Sequence, residues 1–394
     1  MFEHVVLRRA EAGSPVTAGQ IAEALLYYQK VHLVIDRGTL FQLVKQVGID
    51  RLKLLLKRPE LSAVYCEEKL ATHTTPVGVT QFHDFLAFTL TGDQNTKLNS
   101  PEERTAHQLE RQGIPRKIAR EFSKWFTNRV PIRKYTGNHF VKGGIPAAAK
   151  LDLSDAEFVR EAIRQAIAAS SEGQIVDDGL QFELMHTEQG YCAFSNIDFD
   201  AINTRRAKMV PPLEPVTVAH LLGNILDARA DLAMASYYGG DFVTSAVTSA
   251  IIRVRYAEVL RRSQLNAESR QQFVDIVLSD APSLSEAVDA GERSIDDFFR
   301  LLDKSDRFRN WLGAVNPDDN LVRAYFREIT SEPSIQGTTA KTLRYALTTA
   351  LGFVNPFAGV VAGGADSFVV DKLFSGWRPN HFVVKKLSPF VRGY

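Results

Sequence analysis

Apolar positions recur at helical spacing near the start of the chain. Thr17 with Gln20 three residues later has the form of a capping box. The stretch IAEALLYYQKVHLVI then carries apolar residues first at helical spacing and afterwards as a continuous run. The pattern predicts a helix there, a second over Thr39–Val47 ending near Gly48, and a third over Asp50–Lys57 stopping before Pro59. Branched and aromatic residues take over next, and LSAVYCEE, ATHTTPVGV and FHDFLAFTL read as strands closed off at Thr91-Gly92-Asp93.

Residues 101–142 return to helical spacing. Glu102 and Glu103 open one helix, which Gly113 and Pro115 end. A second runs from Pro115 to Arg129, with proline in its first turn. KGGIPAAAK reads as a linker, and Ser154 with Glu157 forms another capping box. GLQFELMHTE and YCAFSNIDFDAI, joined at Gln189-Gly190, read as a β-hairpin. Beyond Pro211-Pro212 the pattern is helical, with LLGNILDARADLAMASYY and FVTSAVTSAIIRVRYAEVLRR paired across Gly239-Gly240. Shorter helices follow at SLSEAVDAG, SIDDFFRLL and DNLVRAYFREI. The expected class is α+β, a helical N-terminal part with small antiparallel β regions and a mainly α-helical C-terminal part. Three regions are expected: 1–145 with a basic helix-loop segment, 146–210 with a helix and the hairpin, and 211–394.

Tyr345–Ala365, YALTTALGFVNPFAGVVAGGA, carries no charged residue. As a helix it would reach roughly 31 Å, close to the thickness of a bilayer's hydrocarbon. Gly359 and Gly363 make a GxxxG, with Gly352 seven residues before Gly359, and such spacing lets apolar helices approach closely. Asn355, Thr348 and Thr349 dilute the run, and Pro356 breaks or kinks a helix at its middle. Three readings stand: a buried core hairpin, a concealed segment released into a membrane, and a permanent span.

Composition narrows the partners. Hydrophobic residues make up 45% and the net charge is +1, so no global field selects nucleic acid or membrane, and any preference must come from local patches. Cys66 and Cys192 do not make a disulfide framework, and MFEHVVLRRAEAG lacks the apolar core of a secretory signal. A cytoplasmic location is expected.

The strongest local signal is cationic. Residues 104–142 hold ten Lys/Arg against Glu110 and Glu121, a net +8. Arg116, Arg120 and Lys124 fall at i, i+4 and i+8, beside Lys117, and so form one stripe; Ile118, Phe122, Trp125 and Phe126 form the apolar one. Arg129, Arg133, Lys134, Tyr135, His139 and Lys142 follow. Lys and Arg release counterions on binding phosphates, and Trp, Tyr or His rings stack on splayed bases. The alternative is a solvated helix whose cations pair with the acidic C-terminal half.

Catalytic signatures are missing: no phosphate-binding GxxxxGK[ST], no GxGxxG after a strand, no HExxH and no GxSxG. His83 and Asp84 are strand neighbours and point to opposite faces. His186 and Cys192 flank the hairpin turn without an evident orienting group. No catalytic residue, metal site or cofactor is assigned, and an enzyme site around 179–200 is kept as a rival reading.

The succession ERSIDDFFRLLDKSDRFRNWL, NPDDNLVRAYFREIT, KTLRYALTTALG and DSFVVDKLFSGWRPNHFV, with its GWRPNHF motif, resembles the C-terminal part of uncharacterised bacterial proteins. In plan, a basic aromatic patch plus a concealed apolar segment resembles the effector of the Hailong anti-phage system. That effector is a membrane-disrupting protein held inactive by a single-stranded DNA oligomer made by a partner nucleotidyltransferase. The resemblance implies a non-enzymatic, ligand-gated effector that is cytoplasmic when inactive. It would bind an oligonucleotide or other phosphorylated ligand and, as a homo-oligomer, permeabilise the inner membrane when switched. A soluble nucleic-acid-binding or scaffold protein with a buried C-terminal hairpin is the alternative.

Overall fold

A computed structural model describes residues 2–10, 13–93, 96–170, 179–209, 212–278, 282–315, 321–322, 324–325 and 379–393. The uncharged run, with Gly352, Pro356, Gly359 and Gly363, lies outside the described residues. Among the described residues no helix is long and apolar enough to cross a membrane.

The chain is α+β. It opens with β1 (His4–Leu7), α1 (Ala18–Tyr27), β2 (Lys30–Ile35), α2 (Arg37–Leu55) and β3 (Leu61–Cys66). An antiparallel stretch follows: β4 (Lys69–Val77), β5 (Thr80–Phe88), β6 (Gly92–Asp93) and β7 (Thr96–Lys97). Then come α3 (Pro101–Arg111), α4 (Arg116–Arg129), β8 (Ile132–Arg133), α5 (Ile145–Leu153) and α6 (Ala156–Ser170). The hairpin β9 (Phe182–Thr187) and β10 (Gly190–Ser195) leads to α7 (Phe199–Arg206), α8 (Val218–Tyr238), β11 (Asp241–Phe242) and α9 (Ala246–Val277). α10 (Leu284–Asp289), α11 (Ile295–Leu302) and α12 (Asp306–Ala314) follow, and a helical segment at 379–392 closes the chain.

A five-stranded parallel sheet, ordered β11-β1-β2-β3-β8, lies between two cores. Val5, Leu7, Val31, Leu33 and Ile35 face a first core built with α1, α2, α4, α10–α12 and residues 382–391. Val6, Val34, Val64 and Cys66 face a second core built with α5, α6, α8 and α9. This alternation is the pleat of strands covered on both faces. The parallel sheet departs from the small antiparallel regions expected for the N-terminal part. KVHLVI does not prolong the first helix but forms β2, because a strand buried on both faces reads as one apolar run.

ATHTTPVGV and FHDFLAFTL join the hairpin in a single antiparallel sheet, β4-β5-β10-β9, while LSAVYCEE leaves that region to pair in the parallel sheet as β3. The helices expected on either side of Gly48 are present within α2, and Gly48 breaks them at φ 77. KGGIPAAAK is not a linker: from Ile145 it is helix α5, with Pro146 in its first turn and Ile145, Ala148 and Ala149 buried. Asp155, rather than Ser154, caps α6 by accepting from Phe158 N at 3.0 Å, while Ser154 Oγ donates to Leu151 O. The hairpin ends before IDFDAI, where Asp198 is the N-cap of α7. At the α8–α9 corner Gly239 takes a left-handed cap, and a Cβ on Gly240 would sit 2.6 Å from His4 Cβ, so only glycine lets β11 reach β1.

The C-terminal helices are clamped to the N-terminal ones. Asp289 of α10 accepts from Thr17 Oγ1 (2.6 Å), Gly19 N (2.8 Å) and Gln46 Nε2 (3.0 Å). Buried Arg309 of α12 donates to the carbonyls of Tyr28 and Gln29. The residues flanking the undescribed stretch also belong to this core: Tyr325 meets Phe273 edge-on at 5.1 Å, and Phe382 stacks on Phe308 at 4.9 Å.

Candidate nucleic-acid interface

α3 and α4 pack against each other across a turn at Gly113 (φ 86). Ser100 and Glu103 cap α3 reciprocally, and Arg104 makes a two-pronged bond to Glu67 at 2.6 and 2.7 Å. Arg104 is therefore withdrawn from the cationic surface. In α4 the spacing of Ala119, Phe122, Ser123 and Phe126 buries one face. Phe126 meets Tyr65 of β3 edge-on at 5.1 Å and stacks with Phe122 at 5.7 Å. Burying each phenyl ring contributes about 2–3 kcal/mol, so the helix is fixed from below.

An exposed flank of the helix carries the predicted stripe. At about 100° per residue, Arg116, Arg120, Lys124 and Lys117 fall within an arc of roughly 100°, and all four are exposed. Arg120 approaches Glu110 at 4.0 Å with its side chain 62% exposed, a geometry worth at most about 1 kcal/mol. Arg116, Lys117, Lys124 and Arg129 make no ion pair among the described residues, so the acidic C-terminal helices do not neutralise them there. Trp125 is half-buried beside Phe122, with Lys53 Nζ 5.9 Å from its ring centroid. Arg129 is exposed but lies round the helix from the stripe.

The loop after α4 divides. Lys134 is exposed, whereas Tyr135 is buried in the second core. Burial in that same core pushes the Cys66 thiol up to about 12, so Cys66 is not a reactive nucleophile. Arg133 Nε donates to His139 Nε2 at 3.2 Å. Burial, helped by the Arg133 guanidinium, holds the His139 imidazole below its ordinary value. In the neutral ring Nε2 is thus taken as acceptor by Arg133, and the proton sits on Nδ1. His139 lies 4.5 Å from the ring of Tyr237, the residue that sequence reasoning missed. Tyr237 sits 98 positions further along the chain, and only its neighbour Tyr238 marks it in the sequence.

The other chemical candidates are occupied. At the carboxyl ends of β1–β3, where α/β sheets commonly bind ligands, a recess of about 40 Å3 is lined by Arg8, Arg9, Asp36, Glu68, Lys69 and Tyr135. It holds a few waters at most. Asp36 caps α2 and faces Arg9, and Glu68 accepts from Thr136 N and Oγ1. In the hairpin, His186 pairs with Tyr191 while Cys192 pairs with Met185, so His186 and Cys192 lie on opposite faces. His83 bonds Thr74, and Asp84 pairs with Lys150. Among the described residues no group of three or more His, Cys, Asp or Glu is placed to hold a metal. Compared with known proteins, the chain matches no family model, no curated protein and no solved structure.

Proposed function

We propose that the protein binds a single-stranded oligonucleotide, or another ligand rich in phosphates, on the outer face of α4. The observation that carries this reading is the row of exposed cations Arg116, Lys117 and Lys124, unpaired among the described residues, on a helix whose other face is buried. Unpaired cations held at fixed spacing meet a phosphate backbone without first breaking internal bonds. In the wider proposal the protein is a non-enzymatic bacterial defence effector. Ligand binding controls the exposure of Tyr345–Ala365, and several chains together permeabilise the inner membrane from a cytoplasmic resting state. A partner nucleotidyltransferase would make the ligand. Packing supports a link between the two parts: Phe122 and Phe126 of α4 share the first core with Tyr325 and Phe382, which flank the stretch containing the run.

The test is binding of a labelled oligothymidylate across a salt series. For single strands log K falls with log salt by about 0.7 per neutralised phosphate. Replacing Arg116, Arg120 and Lys124 together by alanine should therefore flatten the slope by about 2. An unchanged slope and affinity would remove the α4 site.

A further inference from the structure

Tyr237 lies in the last turn of α8 with 48% of its surface open. Single exposed tyrosines are common and need no explanation. This one differs in how it is held and in what surrounds it. Its ring meets Tyr238 at 4.9 Å and Phe140 at 5.8 Å, both nearly perpendicular. Tyr238 is itself stacked on His32 of β2 at 4.2 Å, and Phe140 is buried. The exposed ring is thus braced through edge-to-face contacts onto the parallel sheet.

The surroundings supply the partner's chemistry. His139 lies beside the ring and is bonded by Arg133, and exposed Lys134 and Lys142 stand on the same loop. A rigid aromatic face next to cations is how sequence-tolerant single-strand binders are built.

We infer that Tyr237, flanked by His139, is a base-stacking platform for single-stranded nucleic acid whose phosphates meet Arg133, Lys134 and Lys142. The inference rests on the proposal that the protein binds single-stranded nucleic acid and adds a contact to the base rather than to the backbone. His139 is uncharged at neutral pH, so it contributes ring surface and leaves the charge to Arg133.

The experiment compares an oligothymidylate 12-mer with an abasic strand of the same length, both by fluorescence anisotropy on the full chain. Tyr237→Ala should weaken the base-bearing strand about tenfold, the scale of one lost stack, and leave the abasic strand within about twofold. Tyr237→Phe should bind like the wild type, because the hydroxyl takes no part. The α4 triple variant should weaken both strands. A second measurement does not depend on the alanine variant folding: a 5-bromouracil-substituted strand, photocrosslinked to the wild type, should yield a crosslinked peptide containing Tyr237. If Tyr237→Ala binds the 12-mer normally while the α4 variant does not, the platform is wrong and the cationic face stands. Loss with Tyr237→Ala but not with the α4 variant would overturn the α4 reading alone. No binding of either strand by the wild type overturns both.

Discussion

Arg8 follows β1 into the interior and meets two carboxylates from α8. Its Nε donates to Asp231 at 2.5 Å, its Nη2 to Asp227 Oδ1 at 2.7 Å and to the Asp227 carbonyl at 3.0 Å, and its Nη1 to Arg9 O at 2.9 Å. All three side chains are at least nine-tenths buried. One cation facing two anions leaves a surplus negative charge inside. Burial accordingly raises the Asp231 carboxyl above its ordinary value, against the pull of Arg8. Asp231→Asn keeps the acceptor and removes the surplus charge, so it should cost less than about 1 kcal/mol. Asp231→Ala leaves the buried Nε–H unpaired, a loss of about 2–3 kcal/mol, or roughly 4–6 °C in Tm at about 2 °C per kcal/mol for a large chain. The pH dependence has a definite sign. A raised carboxyl contributes stability that is fully present below its unfolded value and is lost as pH rises through its folded value. Wild-type stability should therefore fall relative to Asp231→Asn as pH rises from about 4. Thermal melts of the three proteins from pH 4 to 8 measure both effects. Equal destabilisation by Asn and Ala would mean that charge, and not the acceptor, holds Arg8.

Two further outcomes are expected. His32, stacked under Tyr238 and bonded to Ser62 (2.6 Å) and His4 (2.9 Å), is held down to about 4 by burial, then by His4 and Lys30. Stability linked to it is present above about 6.5 and lost as pH falls toward 4, and His32→Asn should flatten that limb of a Tm-against-pH curve. Gly359→Leu with Gly363→Leu should abolish dye release from anionic liposomes without changing oligonucleotide affinity; a wild type that releases no dye under any ligand condition would defeat the membrane half of the proposal.

Elements with a clear period were legible in the sequence. The 3.6-residue repeat of Phe122 and Phe126 against Arg116, Arg120 and Lys124 located α4 and its free face, and the Gln189-Gly190 turn located the hairpin. The parallel sheet was not legible. β1 and β11 have four and two residues, too few for periodicity, and β2's unbroken apolar run resembles a buried helix. Tyr135 stands among cations and so reads as surface, yet the turn at Gly137 puts Tyr135 and Phe140 together in the core. Tyr237 was invisible because His139 and Phe140, which brace it, are brought to it only by the fold.

The size of the proposed switch can be set against what α4 offers. Moving a two-state protein from 1:99 to 99:1 requires a ligand to prefer one state by about 5.5 kcal/mol. A charge-assisted contact contributes about 1.5–3 kcal/mol, so at least two to four of the contacts from Arg116, Lys117, Arg120 and Lys124 must be lost in the other state. Small rotations of exposed, flexible side chains do not achieve that, because each would re-aim and bind again. The helix must move as a body, drawing Phe122 and Phe126 from the first core, and their burial opposes it by about 4–6 kcal/mol. That resistance is of the same size as the required preference. A ligand-controlled α4 is therefore compatible with its packing only if the rearranged state gives those two rings a new apolar partner.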